Sequence, residues 1–513
     1  ICRDFRPRQS CLEYQSAVNY WRISAECRFD SQARAGEEGK VVMITELHIQ
    51  GFKSWEDTGH IKMAPLTGLF GANSSGKTAI LQLPLVLKQT VESADRSRVL
   101  HTGDERSYVD VGTFYDVIYR HQIPGTLKFD IQWSLEQPLR IIDPESPIDP
   151  ESPQGRTLFN IREMGFKAAV EGTADSVSVR EFAYTFKKGD RPLRFGMQRQ
   201  TNGSDAARQE YDLISEGYPL QRARGRPWPL PAPVKSYGFP DQANAYYQNA
   251  GFLSQLALAF EEMFHGVFYL GPLRSYPRPK YVWSGERPQD VGRSGELAIP
   301  ALLASRKEGK VISRGRGRGR TLQTVEERVA EWLGKLGMIS SFSLHQIAEN
   351  RKEYEVRVKS TPTAPEVLIT DVGFGVSQIL PVLVLCFYAP AGSTIILEQP
   401  EIHLHPAVQT GLADVFIDAI KSRRVQVILE SHSEHLLRRL QHRVAEGVFS
   451  ADQAALYFAS LEDGRSKLEK LHLDLFGNIT NWPSNFFGDE LGELSAMTEA
   501  AMQRQMAETG KTR

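Results

Sequence analysis

Residues 71–78 read Gly-Ala-Asn-Ser-Ser-Gly-Lys-Thr, which satisfies G-x-x-x-x-G-K-[ST], the Walker A pattern, at every fixed position. Gly71 and Gly76 permit backbone conformations that turn several N–H groups toward one anion, with Asn73, Ser74 and Ser75 filling the loop between them. Lys77 brings a cation to the β- and γ-phosphates, and the Thr78 hydroxyl is a ligand for Mg2+. Residues 65–70 read as a short buried strand entering the loop. Residues from Thr78 to Leu83 begin a helix whose N-terminus faces the phosphates. Strand, glycine loop and helix in that order make ATP with Mg2+ the expected ligand.

The chain of 513 residues is long enough for two or three domains and a large core. A net charge of −1 gives no global attraction to nucleic acid, so any such contact must come from a local patch. The one suggestive patch is 313–320, Ser-Arg-Gly-Arg-Gly-Arg-Gly-Arg. Its glycines preclude a stable helix. Its arginines suit a phosphate backbone as well as they suit a solvated insertion. The longest apolar run, 379–390, is too short to span a bilayer and reads as a buried helix. None of the four cysteines forms a C-x-x-C pair, which fits a reducing compartment, so a cytoplasmic location is expected.

Residues 1–42 hold three of those cysteines, begin with Ile and lack periodicity; they are expected to be an extension or an N-terminal arm. The Walker A part of an ATPase core is expected over 43–120. Short alternating runs such as 127–135 and 177–186 predict antiparallel strands, and residues 242–264 a helix, within a β-rich and helical insertion over 121–365. From 377 an αβ alternation sets in: helix 377–389, strand 393–398, helix 407–421, strand 425–430 and helix 433–444. It predicts a parallel or mixed sheet covered by helices over 366–460. Residues 461–513 are left as a short C-terminal domain and tail. The fold class is therefore α/β, a P-loop ATPase head with an α+β insertion.

Thr394-Ile-Ile-Leu-Glu-Gln-Pro-Glu401 ends an apolar strand in Glu398, the candidate Walker B carboxylate for Mg2+. His403 and His405 beside Glu401 have no third and fourth ligand at zinc spacing. His432, just past the next strand, is placed to sense a γ-phosphate. Asp371-Val-Gly-Phe-Gly-Val-Ser-Gln378 puts Gly373, Gly375, Ser377 and Gln378 at a second helix start. One chain needs one Walker A, so this second anion site suggests contact with a neighbour's phosphate.

These motifs resemble the ABC-type ATPases of the RecF, SMC and OLD group, and most closely compact bacterial relatives with a short uncharacterised C-terminal domain. Ile49–Trp55 is similar to that group's opening motif, 371–381 to its modified signature, 398–406 to its Walker B and D-loop, and 431–435 to its switch region. Residues 269–277, 291–296 and 476–483 also resemble stretches of the compact relatives. The resemblance implies an ATP-sandwich homodimer, each nucleotide lying between one subunit's Walker A and the other's signature. Phe52 or Trp55 would approach the adenine or belong to the core. It also implies a role in anti-phage defence, as in Septu-like ATPase–nuclease pairs, or in DNA metabolism.

One departure is consequential. Many ABC ATPases follow the Walker B acid with a catalytic Glu, and here that position is Gln399. An amide orients water but is no general base. Slow turnover is expected, with Glu401 or His432 assisting; a non-catalytic, ATP-locked scaffold is the alternative. About 80 residues follow His432 and contain no paired D-x-D, so a nuclease is expected on a separate polypeptide. No membrane partner is expected.

Overall fold

The structure is a computed structural model, which describes residues 42–143, 157–173, 176–200, 210–223, 228–314, 321–483, 497–502 and 504. Residues 1–41, most of the Asp-Pro-Glu-Ser-Pro repeat and most of the Arg-Gly loop lie outside the described residues, Arg316, Arg318 and Arg320 among them.

Two sheets organise the chain. The first has seven strands in the order Trp55–Lys62, Val42–Phe52, Gly125–Ile142, Thr157–Gly172, Val177–Lys188, Arg191–Arg199 and Tyr211–Glu216. Every neighbouring pair in it is antiparallel. Its inward aromatic residues include Phe166 and Tyr184, which pack on Phe260 of the helix Leu253–His265, and Phe195, which packs on Phe252 just before that helix.

The second sheet has six strands in the order Arg465–Leu471, Ala454–Glu462, Leu66–Gly71, Gln426–Glu430, Thr394–Glu398 and Val267–Leu270. The inner pairings are parallel and only the outermost hairpin is antiparallel. Continuous apolar strands such as Thr394–Glu398 and Gln426–Glu430 are buried at every residue, as a sheet covered on both faces requires. The helix Phe374–Tyr388 is buried from Val376 to Tyr388, so the longest apolar run is core. Among the described residues no helix is long and apolar enough to cross a membrane.

Residues 121–365 supply strands to both sheets. Gly125–Ile142 pairs directly with Val42–Phe52, and Val267–Leu270 is the edge strand of the six-stranded sheet. The hairpin Ala454–Leu471 likewise runs across position 460. The stretch 242–264 is two helices, Asp241–Tyr246 and Leu253–His265. Between them the Asn249 side chain accepts from Gln221 N–H and donates to the Pro219 carbonyl, anchoring a turn in place of a helix.

Candidate functional site

The P-loop is built by contacts on both sides. Gly71 has φ of 135°, and a Cβ there would lie 2.0 Å from the carbonyl oxygen of Ala459 on the paired strand. Gly76 has φ of 90° and caps the helix Lys77–Glu92. Its carbonyl accepts the indole N–H of Trp55 at 2.8 Å. Trp55 and Phe52 are fully buried, so both belong to the core, and Trp55 braces the loop from behind. Asn73 and Ser74 are exposed at the tip; Ser75 and Lys77 are buried. Lys77 Nζ turns back on its own loop, donating to the carbonyls of Ala72 at 2.6 Å and Gly71 at 3.1 Å. Burial pushes the Lys77 ammonium below its ordinary pKa, against the pull of Glu430 and Glu401.

Sheet register assembles the rest. Glu398 and Glu430 are direct partners across parallel strands, and Glu430 also pairs with Leu69 of the P-loop strand. Both carboxylates therefore stand at the end of the sheet where the P-loop begins. Thr78 Oγ1 donates to Glu430 Oε2 at 2.7 Å, while Glu398 Oε1 accepts from the Tyr269 hydroxyl at 3.1 Å. The carboxylate hydrogen-bonded to the P-loop threonine is thus Glu430, not Glu398. Burial raises all three glutamates, Glu398 to about 7 with the Glu430 charge adding to the effect.

Gln399 has φ of 44°, its N–H donates to the Glu430 carbonyl at 2.9 Å, and its side chain hydrogen-bonds the Glu430 carboxylate. Glu401 Oε1 accepts the backbone N–H of His432 at 2.6 Å; Glu401 Oε2 is buried without a partner. The His432 ring hydrogen-bonds the Gly71 backbone and lies 4.0 Å from Glu430 Oε1. Burial, then the Lys77 charge, lowers its pKa, so at neutral pH it is an uncharged imidazole. Lys77, Thr78, Glu398, Gln399, Glu401 and His432 all converge.

The signature residues make their own group. Gly373 caps the helix Phe374–Tyr388, and Asp371, Gly373 and Phe374 are exposed. Ser377 and Gln378 are buried; the Ser377 hydroxyl donates to the Phe374 carbonyl, and Gln378 Nε2 has no partner. Phe374 lies between Tyr276 and His403, with ring centroids 5.4 Å and 5.7 Å away. His405 caps the helix Pro406–Arg423, accepting from Ala407 N–H.

Glu430 and Tyr269 are the site residues that spacing did not reveal. An acid ending the apolar run of residues 426–430 was the available signal for the first. The set fits a magnesium nucleotide: an inward-curled lysine, a threonine hydroxyl, hard carboxylate oxygens, and buried polar atoms still lacking partners. Among the described residues no three His, Cys, Asp or Glu side chains group as a metal site. The ion would be held by Thr78, a carboxylate and the nucleotide's own phosphates.

Fold and site together define an α/β protein with a Walker A P-loop at the end of a mainly parallel sheet, the fold of a P-loop nucleotide-binding protein. Residues 320–437 match the family described as an AAA ATPase domain, and residues 450–497 one described as a protein of unknown function, DUF3696. The first match takes in the signature, Glu398 and His432. No curated protein matches the chain. Among solved structures, the Smc head bound to the C-winged helix domain of ScpA is 12% identical, with 84% of this chain and 98% of that chain covered and a TM-score of 0.42. An SMC head domain from Thermotoga maritima is 11% identical, with 84% and 99% covered and a TM-score of 0.35.

Proposed function

We propose that this chain is a slowly hydrolysing ATPase that works as a nucleotide-dependent switch. The observation that carries it is the convergence of Lys77, Thr78, Glu398, Glu430 and His432 at one end of the sheet, with an amide at position 399. Magnesium ATP supplies a phosphoryl group whose transfer to water releases ADP and phosphate. Lys77 holds the phosphates; Thr78 with Glu398 or Glu430 holds the metal. Gln399 orients water, and neutral His432 donates toward the terminal phosphate.

Gly373 and Phe374 are exposed and Gly375 partly so, which supports a reading in which a second copy's nucleotide closes on this loop. Closure of that homodimer would set the state of a separate effector, a nuclease, in anti-phage defence or DNA metabolism; this part of the reading rests on the family resemblance. Gln399, already engaged by Glu430, favours a second reading, an ATP-locked scaffold that organises a partner.

ATP turnover and retained nucleotide, measured on wild type, Lys77→Ala and Glu398→Gln, separate the two. Turnover lost in both variants supports the switch. Tightly kept ATP without turnover supports the scaffold. A wild type that neither binds nor hydrolyses ATP removes both.

A further inference from the structure

The edge strand Val267–Leu270 runs parallel to the Walker B strand, with Leu270 paired to Leu397. The loop that leaves it, residues 271–277, therefore emerges beside Glu398, at the same sheet end as the P-loop. Its burial is inverted. Leu273 is 79% exposed and Tyr276 77%, while Arg274 between them is only 8% exposed. Leucine is ordinarily the inside residue and arginine the outside one. Backbone hydrogen bonds enforce the inversion: Gly271 N–H donates to Arg293 O, and Ser275 N–H to Ser294 O, both at 2.8 Å.

The Arg274 guanidinium is not consumed by the contacts it makes. Nη2 donates to the Glu398 carbonyl at a long 3.4 Å, and Nε and Nη1 are buried with no partner. Burial lowers its pKa to about 10, so it stays charged at neutral pH. An unpaired buried guanidinium costs stability, and removing it should not. Its fork matches a phosphoryl group better than a point cation does. Glu398 Oε1 is already engaged by the Tyr269 hydroxyl.

We infer that Arg274 binds the terminal phosphoryl group of the nucleotide held by its own chain's P-loop, so that the site distinguishes a nucleoside triphosphate from a diphosphate. The inference rests on the ATP-binding reading above and adds to it a cation from the stretch 269–277, to which the sequence alone assigns no role. It also gives Tyr269 a role: by holding the Glu398 side chain it keeps that carboxylate from closing on Arg274.

The test is equilibrium binding of magnesium ATP and magnesium ADP to the full chain as wild type, Arg274→Met, Arg274→Lys and Lys77→Ala, with the melting temperature of each nucleotide-free protein. Arg274→Met should weaken ATP about 10- to 100-fold, the scale of a lost charged hydrogen-bond pair, and ADP less than about threefold. Arg274→Lys should fall between. The melting temperature should hold or rise. Equal losses for ATP and ADP, or none, overturn the inference while leaving the ATPase reading intact. A lowered melting temperature with an unchanged ATP-to-ADP ratio assigns Arg274 to anchoring the Glu398 backbone and also overturns it. A wild type that binds neither nucleotide sinks both readings, and loss confined to Lys77→Ala sinks only this one.

Discussion

Thr78 Oγ1 donates a 2.7 Å hydrogen bond to Glu430 Oε2, tying the P-loop hydroxyl to a carboxylate 352 residues away in sequence. Glu430 stands between the P-loop strand and the Walker B strand, paired with Leu69 on one side and Glu398 on the other. A metal drawn to Thr78 thus meets Glu430 first. Glu430→Gln keeps an acceptor for Thr78 and removes the charge. It should lower ATP affinity about tenfold in magnesium, roughly 1.4 kcal/mol, and change metal-free ATP binding little. Titrations with and without magnesium check this; an unaltered magnesium dependence would return the whole metal role to Glu398.

The packing of Glu398 also predicts how stability varies with pH in the nucleotide- and metal-free protein. Its folded pKa is raised from 4.5 to about 7, chiefly by burial and then by Glu430. A raised carboxylate binds its proton more tightly in the folded state. Its contribution is therefore fully present below about 4.5 and lost as pH rises through about 7, at most about 3 kcal/mol. Glu398→Gln should then raise the melting temperature at pH 8 and leave it nearly unchanged at pH 4.5. Equal shifts at both pH values would assign the effect to packing.

How much of this was legible depended on how local the signal was. Gly71 to Thr78, Glu398, Glu401 and His432 each sit in a short stretch where spacing and strand ends carry the meaning. Tyr269 and Arg274 reach the site only because Val267–Leu270 joins the sheet edge more than 120 residues before its partner Thr394–Glu398. Four apolar residues have no periodicity to mark them as a core strand. The same limit hid the common sheet of Val42–Phe52 and Gly125–Ile142, since alternation declares a strand but not its neighbour.

Away from the site, Asp418 binds the Arg328 guanidinium at 2.5 and 2.6 Å and accepts the Trp332 indole N–H at 2.8 Å. This joins the helix Val325–Lys335 to the helix Pro406–Arg423 behind the sheet. The Arg328 side chain is only 6% exposed, so Asp418→Ala leaves a buried cation with Glu331 as its one remaining charged partner, beside a 3.3 Å hydrogen bond to Gln323. The expected cost is about 3 kcal/mol in a denaturant titration. Asp418→Asn, which keeps an acceptor, should cost about half that. A loss below about 0.5 kcal/mol for the alanine variant would mean that Glu331 and Gln323 suffice.

The most direct question for the chemistry is what Gln399 does. Its N–H and its side chain both engage Glu430, and its φ of 44° holds it in that pose. A glutamate at 399 would set a carboxylate against Glu430 without the amide's donor, so without metal Gln399→Glu should destabilise the protein by about 1–2 kcal/mol. Magnesium ATP should reverse that loss, because the cation and the attacking water take the donor's place. The added carboxylate is then a general base, and turnover should rise about 100-fold, the lower end of what such groups contribute. Melting curves with and without magnesium ATP, beside steady-state phosphate release, read both arms. Faster turnover with the predicted magnesium rescue identifies the amide as what slows the wild type. Destabilisation without any gain in turnover would place water activation on Glu401 and His432, which the His432 backbone N–H holds together by its 2.6 Å bond to the Glu401 carboxylate.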